Sequence, residues 1–323
     1  MDPIIEAQAL RKTYNPRGGS ETLDAVKGID LRVERGEIVG FLGPNGAGKT
    51  TTLRMLATLL KPTSGSARVA GVDLLRHPVE VRRRIGYVAQ NGTTDPDALA
   101  GEELIDHARL YGIPSKDAAE RGARLLRELD LAEGWLRKCS TLSGGQRRRL
   151  DIAMGLIHTP ELVFLDEPST GLDPQSRANL WGHIRNIRDQ HGTTVFITTH
   201  YMDEADALCD RIVIIDHGKI VATDTPTALK RRVGGDTLEL TLDSPADAAS
   251  ALRIVAATIP NANPEAHETI IRLNTPNGGA ALPRLMSALT AGNVVVAGVS
   301  LRSPTLDDVF LSLTGRSLRD AAS

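Results

Sequence analysis

The sequence predicts an α/β fold in which a glycine-rich loop connects a buried strand to a helix, followed by a smaller α+β domain. A glycine-rich loop, Gly43–Thr50, follows one apolar run and precedes a helical pattern. A second apolar run, Leu162–Leu165, ends in the carboxylates of Asp166 and Glu167. Beyond Gly234-Gly235, strand and helix patterns alternate without a cluster of catalytic residue types. The first two features predict a nucleotide-binding core, and the third predicts an appended domain.

The overall composition narrows the class of protein. The 323 residues are 41% hydrophobic and 24% charged, with a net charge of −2, so nothing suggests a nucleic-acid partner, which would favour a basic excess. Cys139 and Cys209 lie far apart without metal-ligand spacing, which suits a reduced cytosolic interior. No apolar window approaches about eighteen residues, and the N-terminus has no secretory pattern. We expect any membrane role to act through a partner.

The predicted first domain covers residues 1–233. Strands are predicted at 4–14, 28–33, 38–42, 66–70 and 85–89. A turn at 15–19 separates the first two, which we expect to pair antiparallel. A helix from Thr50 ends near Leu60, before Pro62 and Gly65.

The middle of this domain is predicted to be helical. Apolar residues recur at three- and four-residue intervals over 101–111, 116–129 and 144–158. We therefore predict a helical subdomain at about 94–160, inserted into the α/β core. The core then resumes with strands at 162–165, 194–198, 211–216 and 218–223, and a helix at 225–233.

The predicted second domain covers residues 234–323. Its strands are predicted at 237–242, 268–273 and 294–301, and its helices at 246–259, 279–291 and 304–313. Regulation or a dimer contact is a better expectation for this domain than catalysis.

The phosphate loop, Gly43–Thr50, has the residue types that triphosphate binding needs. Its glycines let backbone N–H groups turn towards phosphate oxygens, and Lys49 can reach the β- and γ-phosphates. The Thr50 hydroxyl can bind Mg²⁺, and the helix that follows presents its positive dipole end. The candidate ATP-binding residues here are Gly43, Pro44, Asn45, Gly46, Ala47, Gly48, Lys49, Thr50 and Thr51.

Four further candidates follow the ends of predicted core strands, where α/β sheets bind ligands. Asp166 would complete the Mg²⁺ shell with Thr50, and Glu167 would polarise the attacking water. His200 would donate a hydrogen bond to the γ-phosphate. Gln90 is either structural or reaches Mg²⁺ or a water near that phosphate. With Lys49, the predicted catalytic residues are Glu167, His200 and Gln90.

Two other features leave alternatives open. Ser143 is a good N-cap, and Gly144 and Gly145 leave N–H groups open at a helix N-terminus, which predicts a second anion site. Arg147–Arg149 oppose the dipole of that helix and are either exposed charge or a contact with an acidic partner. Tyr14 either stacks on adenine or packs at a strand end.

The motifs and their order along the chain resemble the ATP-binding cassette of ABC transporters over about residues 4–230. The most specific is Leu142–Gln146, hereafter the signature segment, because phosphate loops are shared by many ATPases and GTPases and Leu-Ser-Gly-Gly-Gln is not. The tail from Ser303 to Leu311 is similar to the C-terminal extension of daunorubicin-resistance-type exporter ATPases. The motifs are Gly43–Thr50, Gln90, Leu142–Gln146, Leu165–Glu167, Ser169–Asp173 and His200.

This resemblance implies a fold, cofactors and partners. The fold would be a P-loop NTPase cassette with a mixed core sheet, an antiparallel β subdomain and the inserted helical subdomain. ATP and Mg²⁺ would be the cofactors, with Tyr14 on adenine and Gln90 signalling the γ-phosphate to an ABC-2-type membrane permease. Two chains would sandwich two nucleotides on the cytoplasmic face of the membrane, with Asp173 helping to pair them. The residues that would contact the second chain's ATP are Ser143, Gly144, Gly145 and Gln146.

Other functions have less support. An ABC-type ATPase that moves no solute would need two fused cassettes, a coiled coil, a zinc site or basic arms, and the sequence contains none of these. A GTPase or phosphotransferase lacks an Asn-Lys-x-Asp motif after the phosphate loop. An importer ATPase is the alternative within the family, and the tail argues against it. We therefore expect an ATPase that powers export of a drug, a lipid or a similar amphiphile.

Overall fold

The computed structural model describes residues 2–15, 22–260, 262 and 264–315. The chain forms two compact units that divide at Pro226–Thr227. The predicted boundary at residues 233 and 234 therefore falls inside the second unit. Among the helices of the described ranges, none has the length and apolar character needed to cross a bilayer.

An antiparallel sheet opens the first unit. Its first elements are β1 (Ile5–Tyr14), β2 (Leu23–Val33), β3 (Ile38–Leu42), α1 (Lys49–Leu56), β4 (Ser64–Val69), β5 (Val72–Asp73), α2 (Pro78–Arg84) and β6 (Ile85–Val88). Strands β2, β1, β4 and β5 pair in that order. Strand β2 begins earlier than predicted, because its register with β1 continues from Val33 to Leu23. The turn predicted at 15–19 lies, apart from Asn15, outside the described residues.

The helical block contains the three predicted helices. They are α3 (Ala100–Leu110), α4 (Ser115–Glu128) and α5 (Gly144–Leu156), with short 3₁₀ turns at Ala132–Gly134 and Cys139–Thr141. A Cβ atom at Gly101 would lie 2.5 Å from the ring of Trp135, so the indole packs directly on the α3 backbone.

The core of the first unit is a six-stranded sheet. The remaining elements are β7 (Leu162–Asp166), α6 (Pro174–His191), β8 (Thr194–Thr199), α7 (Met202–Leu208), β9 (Arg211–Asp216) and β10 (Lys219–Asp224). The strand order is β10-β9-β3-β8-β7-β6, with β10 antiparallel and the other neighbours parallel. Every residue of β3, β7 and β8 is buried, which explains why each strand contains a run of consecutive apolar residues. Their carboxyl ends share one edge, so the candidate residues predicted there come together.

The second unit has the predicted α+β character. Its elements are α8 (Pro226–Arg232), β11 (Asp236–Leu242), α9 (Ala248–Thr258), β12 (Glu265–His267), β13 (Ile270–Thr275), α10 (Gly278–Ala291), β14 (Val296–Arg302) and α11 (Leu306–Thr314). An antiparallel sheet, in the order β12-β13-β11-β14, packs alternate residues such as Leu238 and Leu240 against Val255 and Leu285 of its helices. The strand predicted at 268–273 corresponds to β13, and a further short strand, β12, precedes it.

Candidate nucleotide-binding site

The phosphate loop curves tightly between β3 and α1. Gly46 and Gly48 have φ angles of +78° and +107°, in the left-handed region that favours glycine. A Cβ atom at Gly48 would lie 2.5 Å from the carbonyl oxygen of Ala25, so a larger residue would collide with the backbone. The Ala47 N–H donates to the carbonyl oxygen of Pro44 at 3.2 Å. The loop therefore needs its glycines in order to turn ahead of the α1 N-terminus.

Lys49 places a buried positive charge in this loop. Its side-chain ammonium donates to the carbonyl oxygens of Gly43 at 2.8 Å and Pro44 at 3.1 Å. It also lies 3.4 Å from Oε1 of Glu167. Burial lowers the pKa of Lys49, and the Glu167 carboxylate opposes that shift. The ammonium is thus held at the loop by groups that a phosphate could replace.

Thr50 and Asp166 fit a Mg²⁺ site. The Thr50 hydroxyl donates to Oδ1 of Asp166 at 3.1 Å, and the Thr198 hydroxyl donates to the same oxygen at 2.6 Å. Hydroxyl and carboxylate oxygens suit a hard cation, and Mg²⁺ often takes one or two protein ligands and completes its shell with phosphate and water. Across the described ranges, no group of three or more His, Cys, Asp or Glu side chains forms an all-protein metal site. The chemistry of this pair therefore suits a nucleotide-bound Mg²⁺.

The backbone of Glu167 is unusual. Its φ angle is +45°, which is uncommon for a residue with a side chain. The conformation is held because the Glu167 N–H lies 3.0 Å from the carbonyl oxygen and 3.1 Å from the hydroxyl of Thr198. Strained backbone of this kind is concentrated at functional sites.

Four side chains surround the Glu167 carboxylate. Its Oε2 accepts hydrogen bonds from Gln90 Nε2 at 3.1 Å and from the Thr170 hydroxyl at 3.3 Å. His200 Nδ1 lies 3.2 Å from the same oxygen, opposite the contact with Lys49. Burial, the largest single influence, raises the pKa of Glu167, but His200 and Lys49 together outweigh it and lower the pKa below its ordinary value. The structure thus presents an ionised, buried carboxylate.

These groups line one cleft of about 550 Å³. The structure therefore brings together the phosphate loop, Gln90, Glu167, His200 and Tyr14. Tyr14 ends β1 and is 37% exposed, with the Lys12 ammonium 5.4 Å from its ring centroid. The lining residues are Tyr14, Leu23, Ala25, Asn45, Gly46, Gly48, Lys49, Thr50, Thr51, Gln90, Glu167, Thr170 and His200.

The signature segment lies outside the lining of that cleft. The Ser143 hydroxyl accepts from the Gln146 N–H at 3.2 Å, and the Gln146 side chain accepts from the Ser143 N–H at 3.0 Å, a reciprocal cap on α5. A Cβ atom at Gly145 would lie 3.2 Å from Oγ of Ser176, whose hydroxyl donates to Asp173 at 2.6 Å. The hydrogen bonds from Ser176 also lower the pKa of Asp173. The signature segment and Asp173 thus form a second, adjoining group.

The structure corrects the interpretation of one residue, Arg148. The expectation for Arg147–Arg149 was either exposed charge or contact with an acidic partner. Arg148 is instead only 7% exposed, and it donates to the backbone carbonyl oxygens of Ala89, Asp166 and Pro168. Helical periodicity could have indicated the burial of Arg148, because Arg148 lies one helical turn before the buried Ile152 and therefore on the same face of α5. Thr198, which supports Asp166 and Glu167, was also missed, since it lay inside an apolar run.

Two family models match the sequence. A model described as ABC transporter matches residues 26–170, which include the phosphate loop, the signature segment and Glu167. A model described as the C-terminal domain of DrrA1-3-like ATP-binding proteins matches residues 225–314. The two matches follow the order of the two units.

Several known proteins resemble the chain over nearly its whole length. It is 42% identical over 313 residues to the daunorubicin resistance ATP-binding protein DrrA2 of Streptomyces coeruleorubidus, covering 96% of this chain and 95% of that protein. It is 35% identical over 318 residues to the linearmycin resistance ATP-binding protein LnrL of Bacillus subtilis (strain 168), covering 98% and 100%. It is 37% identical over 322 residues to the Nod factor export ATP-binding protein I of Ralstonia nicotianae, covering 98% and 96%.

Solved structures share the fold of the first unit. A dimeric, post-hydrolysis structure of the ATP-binding cassette MJ0796 with ADP and Pi matches with a TM-score of 0.62 at 26% identity, over 68% of this chain and 98% of that chain. The structure of cbiO1 from Clostridium perfringens matches with a TM-score of 0.63 at 25% identity, over 80% and 97%. The predicted fold class, family and ATPase activity are therefore confirmed. The chain belongs to the ABC transporter family as one of its ATP-hydrolysing subunits, in the group of the daunorubicin-resistance-type exporter ATPases.

Proposed function

We propose that two copies of this chain bind two molecules of Mg²⁺-ATP between them and that hydrolysis powers export of an amphiphilic compound through a membrane permease. The observation that carries this proposal is the convergence of Lys49, Gln90 and His200 on the single carboxylate of Glu167. A cleft that holds a base beside cationic and amide donors suits attack of water on a terminal phosphate.

Each predicted residue has a role that its contacts support. Lys49 would leave the carbonyl oxygens of the loop to hold the β- and γ-phosphates, and Thr50 and Asp166 would hold Mg²⁺, which neutralises developing charge when bound. Glu167 would accept a proton from the attacking water, while His200 would donate a hydrogen bond to the γ-phosphate. Gln90 would report the γ-phosphate, since its amide already donates to Glu167.

The adenine end of the site would lie at Tyr14. Tyr14 lies at the end of β1, lines the cleft and keeps 37% of its surface exposed. An aromatic face in that position could stack on the adenine ring. We therefore favour the stacking role over the packing role.

The second nucleotide contact would come from the other copy of the chain. Ser143 is exposed and its hydroxyl caps the N–H of Gln146, so the N–H groups of Gly144 and Gly145 would remain available to an anion. Asp173, beside the same helix end, would help to pair the copies. The MJ0796 cassette, which this chain resembles, has been solved as a dimer with ADP and Pi.

Export is the direction that the second unit favours. The relatives that share it are named for resistance to daunorubicin and linearmycin or for Nod factor export. We infer that the chain associates with an ABC-2-type permease at the cytoplasmic face of the membrane, and that the permease selects the exported compound.

A substitution of Glu167 tests the proposal directly. Glu167→Gln should slow ATP hydrolysis by about 10²- to 10⁴-fold, the usual contribution of a general base, and retain ATP binding. It should also accumulate an ATP-bound dimer, detected by size-exclusion chromatography with light scattering. Glu161→Gln is the matched control, because Glu161 lies at the other end of β7 and is partly exposed. Hydrolysis at the wild-type rate in Glu167→Gln would contradict the role of Glu167.

A further inference from the structure

Arg148 is a buried cation that binds backbone from separate parts of the chain. Its Nε donates to the carbonyl oxygen of Pro168 at 2.9 Å, and one Nη donates to that of Asp166 at 2.9 Å. The other Nη donates to the carbonyl oxygen of Ala89. Only 7% of the residue is exposed. One guanidinium thus connects α5 with the ends of β6 and β7.

The three carbonyl groups that Arg148 binds belong to residues next to Gln90 and Glu167. Ala89 precedes Gln90, while Asp166 and Pro168 lie directly before and after Glu167. The guanidinium therefore holds the backbone on both sides of Glu167 and the backbone that carries Gln90. Those are the two side chains that meet at 3.1 Å in the cleft.

A second residue of α5 holds the same loop. Asp151, one turn after Arg148, lies close to the backbone N–H of Thr93, which opposes the effect of burial on the pKa of Asp151. A Cβ atom at Gly92 would lie 3.0 Å from the Asp151 carboxylate, so helix and loop are in close contact. Residues 89–93 are therefore attached to α5 at both ends.

Arginine is the side chain that this geometry requires. Its planar fork carries five N–H donors in fixed directions, whereas a lysine ammonium is a point charge with no planar fork. Burial lowers the pKa of Arg148, the nearby acids Asp151 and Asp166 oppose that shift, and the surrounding carbonyl groups accept its hydrogen bonds. A shift of α5 would therefore displace all three carbonyl groups through the guanidinium.

We propose that Arg148 is a positioning residue that couples the signature segment to Gln90 and Glu167 of the same chain. This inference rests on the proposed function, in which Ser143, at the start of α5, contacts the nucleotide of the second copy. When that contact moves α5, Arg148 moves the backbone of the hydrolytic site with it. Hydrolysis at one site would then depend on the nucleotide at the other.

The first test compares two adjacent arginines in the full-length chain. Arg148→Lys keeps the charge but loses the planar fork. We therefore expect kcat for ATP hydrolysis to fall by about 10- to 100-fold, because small displacements of catalytic groups cost about that much. The KM for ATP should change by less than about threefold, because the binding groups are untouched. Arg149→Lys is the matched control; Arg149 contacts His183 at 3.4 Å, away from the cleft. Thermal unfolding checks that both variants fold.

Chemical rescue and a double-mutant cycle complete the test. Millimolar guanidinium should restore part of kcat to Arg148→Ala and leave Arg149→Ala unchanged, which a merely structural role would not predict. Ser143→Ala should lower kcat by a smaller factor in the Arg148→Lys background than in the wild-type chain, because Arg148→Lys has already removed the coupling.

Several outcomes would overturn the inference. The first is an equal kcat in Arg148→Lys and Arg149→Lys, and the second is additive effects of the two substitutions in the double-mutant cycle. The third is failure of Arg148→Lys to fold, because that result would assign the guanidinium to folding rather than to site geometry. Failure of the proposed function is distinguishable, since Glu167→Gln would then hydrolyse ATP at the wild-type rate.

Discussion

The Nδ1 atom of His200 lies 3.2 Å from Oε2 of Glu167, and the two residues follow the neighbouring strands β8 and β7. The contact aims the carboxylate into the cleft and, together with Lys49, lowers its pKa. A bound phosphate would compete with Glu167 for both His200 and Lys49. We therefore expect nucleotide binding to raise the pKa of Glu167, which makes the carboxylate a better proton acceptor when water is in place.

The first prediction concerns the histidine. Replacing His200 with Gln should raise the pKa of Glu167 in the free enzyme, because a favourable partner of the ionised carboxylate is lost. The acidic limb of kcat/KM for ATP should then move to higher pH, since the base is protonated at a less acidic pH than in wild type. We also expect kcat to fall by about 10- to 100-fold from the lost phosphate contact.

A surface histidine provides the control for this measurement. His191 Nε2 lies 3.0 Å from Oε2 of Glu128, so it also pairs with a carboxylate, but on α6 outside the cleft. His191→Gln should leave the pH profile unchanged. An acidic limb at the same pH in His200→Gln and wild type would show that His200 does not tune Glu167.

The second prediction concerns Asp151. Burial raises the pKa of Asp151 from 3.8 to about 6, against the opposing influence of Arg148. The raised pKa means that the folded chain binds this proton more tightly than the unfolded chain does. The resulting stabilisation of the fold is fully present below pH 3.8 and is lost as the pH rises through about 6. At neutral pH the ionised carboxylate therefore makes the chain less stable than a neutral side chain would.

Asp151→Asn removes this titration and keeps an acceptor for the Thr93 N–H. Relative to wild type, its free energy of unfolding should rise by about 1–3 kcal/mol between pH 4.5 and 7.5, the value of a shift of this size. Urea unfolding at several pH values measures the difference. Asp106→Asn, on an exposed part of α3, should give a difference that does not vary with pH. A constant difference for Asp151→Asn would contradict the prediction.

Local features of the site could be predicted from the sequence, but contacts between distant residues could not. The phosphate loop and Glu167 stand beside buried strands, so their neighbours in sequence already indicate their position. The role of Arg148 depends on Ala89, which is 59 residues away, and no local pattern contains that information. Helix α7 was missed because its seven residues, which include Asp203 and Glu204 in the first turn, are too few to show a period.

The final prediction tests whether the signature segment faces the phosphate loop of a second copy. Ser143 and Asn45 are both exposed, and the native Cys139 and Cys209 are buried, so introduced thiols would react selectively. In a Glu167→Gln background, Ser143→Cys mixed with Asn45→Cys should give a disulfide-linked dimer when ATP and Mg²⁺ are present.

The matched controls are each single-cysteine variant alone and the mixture without nucleotide. The mixture without nucleotide should remain monomeric on non-reducing gels, because without ATP nothing bridges the two surfaces. Lys49→Ala added to both chains should abolish the link, since the loop would lose its buried cation and with it most of its affinity for phosphate. A link that forms equally with and without ATP would mean that the surfaces meet for another reason, and the nucleotide sandwich would have to be abandoned.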